Sequence, residues 1–514
     1  MKPIRLMAGF FTVGIWTLAS RVMGFVRDIM MVAFLGSGPV AEAFLIAFSL
    51  PNLFRRFFAE GAFNMAFVPM FSKKLETDDD PQGFAQQAFS GLASVLIVFT
   101  VIALFAMPWL VFAMASGFVG DERFDLAILF GRIAFPYVLF ISLGALLSGL
   151  LNSTGRFAAA AAAPVLLNIF FVAALVLGAS LGWDLGLTLA WTVPLGGIAQ
   201  LALVWIAARN AGFNLTVTRP RLTPEMKRLV IIAAPAALAG GVVQINLLVG
   251  RQVASFFDGA IVWLGVADRL YQLPLGVVGI AIGVVLLPEL SRRLGAEDTA
   301  GGKDAFNRAA EISLALTLPA AVALCVIPGT LVSVLFERGA FNAQDTHATA
   351  LVLTVYALGL PAFVLQKVLQ PLFYAREDTR SPFRYAVVAM IVNAGIAIGL
   401  APIIGYLAAA LATTLAAWAM VVLLWVGSRK MGETARLDAR FARRLPRIVV
   451  ASIIMGVVLY ALDTMLAGPL SSPGIRYIAL AVTVTIASAS YFASAHLLGG
   501  LPLGDIKGAL RRKR

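Results

Sequence analysis

Fourteen long apolar stretches, parted by short polar knots, run along the chain at about 7–36, 42–72, 86–116, 124–150, 158–181, 185–208, 229–256, 261–287, 306–334, 346–374, 384–401, 405–427, 447–467 and 475–499. A helix needs ~20 apolar residues to cross a bilayer. The pattern therefore predicts an all-α polytopic membrane protein of about fourteen transmembrane helices. Gly14, Gly24, Pro51, Pro69 and Pro274 fall in mid-span, where a helix bundle tolerates them because its neighbours satisfy the freed carbonyls. The first twenty residues have the basic start and short apolar run of a secretory signal. The following RVMGFVRDIMMVAFLG continues the span without a small-x-small cleavage site, so a signal-anchor first helix is expected.

Composition agrees with this reading. Of 514 residues, 60% are apolar and 13% charged, whereas a soluble domain has about 45–50% and about 25%. The excess of 40 Lys and Arg over 27 Asp and Glu would suit nucleic acid, but its placement argues otherwise. With the amino terminus inside, the inner segments hold 29 basic residues and the outer loops only Arg123, Arg338 and Arg476. That bias predicts a membrane protein with both termini in the cytoplasm. It also accounts for the charge through topology and anionic membrane lipids, so no nucleic-acid partner is expected. The single cysteine, Cys325, lies in an apolar run, which excludes a disulfide framework and a thiolate metal site.

Punctuation along the chain repeats. VPMFSKKL at 68–75 echoes LPELSRRL at 287–294, and Leu50-Pro51 matches Leu273-Pro274. Glu42 matches Asp268, Arg27 matches Arg251, Pro108 matches Pro328, and Pro136 and Asn168 match Pro361 and Asn393, all at 219 to 226 residues. Six helices separate the copies, so the halves share one orientation and form a parallel repeat. The expected organisation is a six-helix lobe over 1–215, a second over 216–430, and two additional helices with a basic cytoplasmic tail over 431–514.

Eight basic residues remain inside the spans: Arg21, Arg27, Arg55, Arg56, Arg132, Arg251, Arg269 and Lys367. A charge at the bilayer centre costs at least ~2.5–3.5 kcal/mol, so such residues face the bundle interior or water. Arg132, Arg251 and Lys367 are isolated and suit snorkelling or structural pairing. The others cluster: Arg21, Arg27 and Asp28 in the first helix, Arg55, Arg56 and Glu60 in the second, Asp268 and Arg269 in the eighth. Arg21 and Asp28 lie nearly on one face, and Arg56 and Glu60 are spaced to pair along a helix. Asp28, Glu42, Glu60 and Asp268 would hold these arginines yet leave a positive interior. An ion-pair network that stabilises the bundle is one reading; an anion cavity between the repeats is the other. Arginine favours the second, because its planar fork binds phosphate bidentately and stays charged when desolvated. No phosphate-binding G-x-x-x-x-G-K-[ST] loop, H-E-x-x-H or G-x-S-x-G occurs, so neither an ATP-hydrolysing protein nor an enzyme is expected, and no cofactor or metal is.

SRVMGFVRD at 20–28 and AEAFLIAFSLPNLFRRFFAEGAFNMAFVP at 41–69 closely resemble the MurJ (MviN) family, the lipid II flippases of the MOP exporter superfamily. The likeness extends through ADRLYQLPLGVVGIAIGVVLLPELS at 267–291 and the last two helices. The resemblance implies a flippase that moves the undecaprenyl-pyrophosphate-linked peptidoglycan precursor, lipid II, from the cytoplasmic to the periplasmic leaflet by alternating access. It also implies Arg21, Arg27, Arg55, Glu60 and Arg269 as substrate-binding residues, with Asp28, Glu42, Arg56 and Asp268 as supporting ion pairs. Family members often have Lys where Ser49 stands and Asp where Glu42 stands. The first departure removes a cavity charge and the second keeps its sign. Exporters of another polyprenyl-linked oligosaccharide, or a membrane-embedded enzyme acting on lipid-linked sugars, are the competing readings. The residues do not name a coupling cation.

Overall fold

The computed structural model describes residues 6–56, 62–77 and 79–501, with side chains described outside 6–10, 62–65, 234–247 and 277–285. Among the described residues the regular structure is helical, without a β-strand. The first half contains α1 (Leu6–Leu35), α2 (Pro39–Arg55), α3 (Ala62–Thr77), α4 (Pro81–Phe105), α5 (Met107–Met114), α6 (Glu122–Ala134), α7 (Tyr137–Ser153), α8 (Ala158–Leu181), α9 (Leu185–Asn210) and α10 (Pro224–Ala254). Then follow α11 (Ala260–Gly295), α12 (Thr299–Val326), α13 (Pro328–Phe336), α14 (Ala343–Tyr374), α15 (Arg380–Ile404), α16 (Leu407–Ser428), α17 (Ala439–Met465), α18 (Ala467–Ser471) and α19 (Arg476–Leu497). Every apolar stretch read from the sequence is occupied by one helix or by two in succession. Ten helical stretches among the described residues are long and apolar enough to cross a membrane.

Apart from 42–72, whose α2 and α3 flank residues outside the described ones, four stretches expected as single helices are broken, and proline accounts for the breaks. Pro108 and Pro328 stand at the starts of α5 and α13, where the missing N–H would have no intrahelical partner. These two are repeat-equivalent in the sequence, so the same break recurs in both halves. Pro136 separates α6 from α7, yet its counterpart Pro361 lies inside the unbroken α14. The fourth break, between α17 and α18, falls just before Gly468-Pro469.

The chain forms two compact units, Met1–Val262 and Trp263–Arg514. That division follows packing, whereas the expected lobes at 1–215 and 216–430 follow repetition along the chain. In the first unit Phe67, Phe71 and Phe84 stack in a buried column, with Phe213 edge-on to Phe71. Leu146, Leu147, Leu150 and Leu151 of α7 join the same core. After α9 the chain runs extended across α4, where Ser90 Oγ receives the Thr218 amide and Gln86 Oε1 the Thr216 amide, both at 3.0 Å. In the second unit Leu290, Phe306, Leu372 and Phe373 form a core between α11, α12 and α14, and the Tyr491 hydroxyl of α19 donates to the Ala315 carbonyl of α12.

An ionic cluster fastens the additional helices to α12. Glu311, almost fully buried, accepts from Arg308, Arg440 and Arg444, and Asp438, the N-cap of α17, accepts from Arg308 and from the Phe441 amide at 2.6 Å. Partial burial raises the Asp438 carboxyl, but the Phe441 amide and the Arg308 and Arg440 charges outweigh it and hold the group below its ordinary value. A carboxyl lowered on folding contributes stability above its unfolded pKa of about 3.9, and that contribution is lost as pH falls through the folded value. Asp438→Asn keeps a good N-cap but removes the charge, so it should cost about 1–2 kcal/mol near neutral pH. Thermal unfolding of both proteins should show that gap closing as the pH drops below about 4.

Candidate functional site

Two buried constellations in the first unit involve residues singled out in the sequence, and a cavity adjoins a third. Arg27 of α1 lies along its own helix, with Nε and Nη2 donating to Asp28 Oδ1 at 3.0 and 2.6 Å. Its Nη1 donates to Asn168 Oδ1 of α8 at 3.0 Å, and Asn168 Nδ2 returns a bond to the Ser20 carbonyl at 3.1 Å. The guanidinium also stands 5.4 Å from the centre of the Phe171 ring, which meets Phe44 and Phe48 of α2 edge-on. One charge is thus compensated by a carboxylate, a carboxamide and an aromatic face, which together make its position within the membrane tolerable. Asn168 entered the sequence reading only as a repeat marker. A polar amide in the middle of an apolar span was the signal that it has a partner to hold.

Arg55, at the last turn of α2, lies on the wall of a cavity of about 400 Å³ formed with α3, α7, α8 and α9. Small residues, Gly144, Gly149 and Ala160 among them, leave this space open. Pro164 on the α8 wall cannot donate to the Ala160 carbonyl. Gln200 of α9 donates to the Ala163 carbonyl at 2.9 Å and accepts from the Tyr137 hydroxyl at 3.2 Å, which fixes the far wall. No carboxylate belongs to the described lining. Arg55 Nε also approaches Asn52 Oδ1 at 3.4 Å, so the described wall carries a guanidinium among hydrogen-bonding groups on several sides, and the cavity volume lies within the ~300–1,000 Å³ of small-molecule sites.

Glu42 does something other than expected. It is 1% exposed, and its Oε2 accepts from Arg123 Nη1 at 2.9 Å while Oε1 accepts from the Ile261 amide at 3.1 Å. Arg123 also meets Asp121 at 2.6 Å and Asp258 at 2.9 Å. Glu42 thus joins the starts of α2, α6 and α11 and supports none of the arginines assigned to it. At ~1.5 Å per residue it stands ~20 Å from Arg55 along α2. Sequence spacing could not have paired residues 81 apart, and Arg123 itself had been read as a loop charge. Asp121 lies just outside the span. Burial raises its carboxyl, and the Arg123 amide and guanidinium more than reverse that, holding it below its ordinary value. At the same end Gly117 approaches the Ser255–Phe256 backbone so closely that a Cβ there would lie 2.6 Å from it, and the Gly117 amide donates to Ser255 Oγ at 3.0 Å.

The other expected site residues are distributed as follows. Arg21 of α1 and Arg56 after α2 are exposed, and Glu60 lies outside the described residues. In the second unit, α11 carries a half-buried Asp268, which accepts from Gln272 Nε2, and an exposed Arg269. Among the described residues no group of three or more His, Cys, Asp or Glu side chains could hold a metal.

A family model described as lipid II flippase MurJ matches residues 31–473. A probable lipid II flippase MurJ of Rhizobium tropici is 46% identical over 519 residues, covering 99% of this chain and 97% of that protein. The chain belongs to the MurJ family. The lipid II flippase MurJ of Burkholderia cenocepacia is 32% identical over 506 residues, covering 96% and 98% of the two chains. Among solved structures, a MurJ in an inward closed conformation superposes with a TM-score of 0.78 at 24% identity, covering 94% of this chain and 98% of that one. An inward-facing multidrug resistance MATE transporter of the MOP superfamily gives 0.68 at 14% identity, covering 82% and 96%. The fold is thus shared by MurJ and MATE structures, and the all-α polytopic architecture read from the sequence is the one these chains adopt.

In this MurJ family chain, Arg123→Met would leave Glu42 buried without its guanidinium. Removing one partner of a buried pair typically costs about 3–5 kcal/mol, so thermal unfolding in detergent should show a large loss, and the double variant Glu42→Gln/Arg123→Met should recover much of it. A Glu42–Arg123 pair of no structural weight would leave the single variant with the melting temperature of the parent.

Proposed function

We propose that this chain is a flippase for lipid II, carrying the undecaprenyl-pyrophosphate-linked precursor from the cytoplasmic to the outer leaflet of the inner membrane without acting as an enzyme. The observation that carries the reading is Arg55, a guanidinium on the wall of a cavity within the helix bundle that is large enough for a small ligand and also lined by Ser148, Asn152 and Gln200, in a chain of the MurJ family. A diphosphate offers oxygens on several sides, and arginine binds them with paired hydrogen bonds that survive desolvation. Arg21, Arg27, Arg55, Glu60 and Arg269 are the proposed substrate-binding residues, with Asp28, Arg56 and Asp268 in support. Glu42 is proposed as a strut through Arg123 and no longer as a member of that set.

Alternating access is the proposed mechanism, with the diphosphate entering from the cytoplasmic side and the polyprenyl tail remaining in lipid. Solved MATE relatives described as inward-facing and outward-facing share this fold, with TM-scores of 0.68 and 0.58, which supports a scaffold able to take both forms. With both termini in the cytoplasm, as the 29 to 3 distribution of basic residues favours, an interior-negative potential would assist export. The gain is roughly 2.3 kcal/mol per charge per 100 mV.

In cells depleted of the native copy, Arg27→Ala, Arg55→Ala and Arg269→Ala should each fail to support growth although the proteins reach the membrane, and Arg55→Lys should rescue in part. Normal growth of all three would remove the proposed site. Purified protein in vesicles should relocate lipid II chemically intact. Conversion of lipid II to a new product would establish an enzyme instead.

A further inference from the structure

Three arginines are expected in the outer loops of a chain that otherwise keeps its loop cations inside, and their surroundings differ sharply. Arg123 is neutralised by Glu42, Asp121 and Asp258. Arg338, just beyond α13, and Arg476, at the start of α19, have no carboxylate within ion-pairing reach among the described residues. Both converge on one ring: their guanidinium carbons stand 5.6 and 5.3 Å from the centre of Tyr477. Each is held by weak neutral partners. Arg338 Nη2 donates to the Val334 carbonyl at 3.1 Å and to the Leu335 carbonyl, while Arg476 donates to the Glu337 carbonyl at 3.3 Å and to the Tyr477 hydroxyl at 3.4 Å. Nε of both arginines is buried and without a partner. Two cations around a single tyrosine repel one another, and among the described residues no carboxylate pairs with either to offset that repulsion.

Directly along the helix from this pair, α19 presents a shallow apolar trough of about 420 Å³ lined by Tyr477, Ile478, Ala481, Val482, Thr485 and Ile486. Ile478 is 65% exposed, so the trough opens toward the membrane. A cationic head joined to an apolar channel is the complement of a lipid with an anionic headgroup, and tyrosine at the membrane surface is the residue that sits at headgroup level.

We propose that Arg338, Arg476 and Tyr477 form a binding site for a resident anionic phospholipid of the outer leaflet. The phosphodiester bridges the two guanidiniums and an acyl chain lies along α19. The site is separate from the Arg55 cavity, and its leaflet rests on the orientation proposed above. A phospholipid fits better than the exported diphosphate carrier because the trough beside the half-buried pair is open on the exposed face of α19, phosphatidylglycerol-type lipids are the abundant anions of the surrounding bilayer, and the pair offers two cations to one phosphodiester.

The test is lipid binding to the purified full-length protein in detergent, read by native mass spectrometry with added phosphatidylglycerol or phosphatidylcholine. The wild type should prefer phosphatidylglycerol by about tenfold or more, as a charge-assisted phosphate contact implies. Arg338→Gln/Arg476→Gln should abolish the preference. Val482→Trp, which fills the trough and leaves both arginines in place, should displace the lipid independently, so a double variant that fails to fold does not protect the proposal. Equal binding of the two lipids by the wild type, or undiminished phosphatidylglycerol binding by Val482→Trp, would overturn it. So would displacement of phosphatidylglycerol by undecaprenyl phosphate at equal or lower concentration, because the site would then belong to the exported carrier. These readings measure binding alone, so they stand apart from growth complementation and from the flippase reading it tests.

Discussion

The cost of holding a charge in hydrocarbon is the constraint on which this structure turns. A guanidinium within a span must be paired, solvated or given polar company, and the first unit illustrates more than one solution. Arg27 is compensated by the adjacent Asp28 carboxylate, the Asn168 carboxamide and the face of Phe171. Arg123, deeper in protein, needs Glu42, Asp121 and Asp258. Arg55, whose Nε approaches Asn52 Oδ1, also borders a cavity with hydrogen-bonding walls. The first two arrangements fasten helices together, and the third leaves room for a guest.

Local features of the chain follow from making that room. Glycine and alanine on α7 and α8 keep the cavity open, Pro164 leaves a carbonyl without its helical donor, and Gln200 braces the opposite wall through Tyr137 and the Ala163 carbonyl. In a soluble core such gaps would be filled, because each missing methylene forfeits packing. Proline breaks at α5 and α13 and the ionic cluster around Glu311 belong to the scaffold. Within the second unit the cluster ties α17 to α12.

The fold was legible because membrane helices announce themselves by length and apolarity, and each of the fourteen stretches is occupied by helix among its described residues. Their interruptions were less so. Pro108 and Pro328 break their stretches whereas Pro361 does not, and the difference lies in what surrounds each proline, which local sequence does not encode. Charges inside spans drew attention to Arg27, which the fold ties to Asp28 and Asn168, and to Arg55, which it sets on a cavity wall. Their partners were another matter: Glu42 reached across 81 residues to Arg123 and Arg27 across 141 to Asn168. Such pairings are decided by how helices pack, and a sequence read one helix at a time is blind to them. Arg338 and Arg476 were visible only as exceptions to a charge bias until the fold put both beside Tyr477.

The central claim is that the intramembrane arginines are retained to bind a diphosphate. Calorimetric titration of the purified protein with farnesyl pyrophosphate, a soluble carrier of the same headgroup, tests it without any requirement for transport. The account predicts saturable binding by the parent protein, weakened about tenfold or more in Arg55→Gln, as expected for loss of one charge-assisted phosphate contact. Equal affinity in the parent and the variant, with the variant folded, would contradict it.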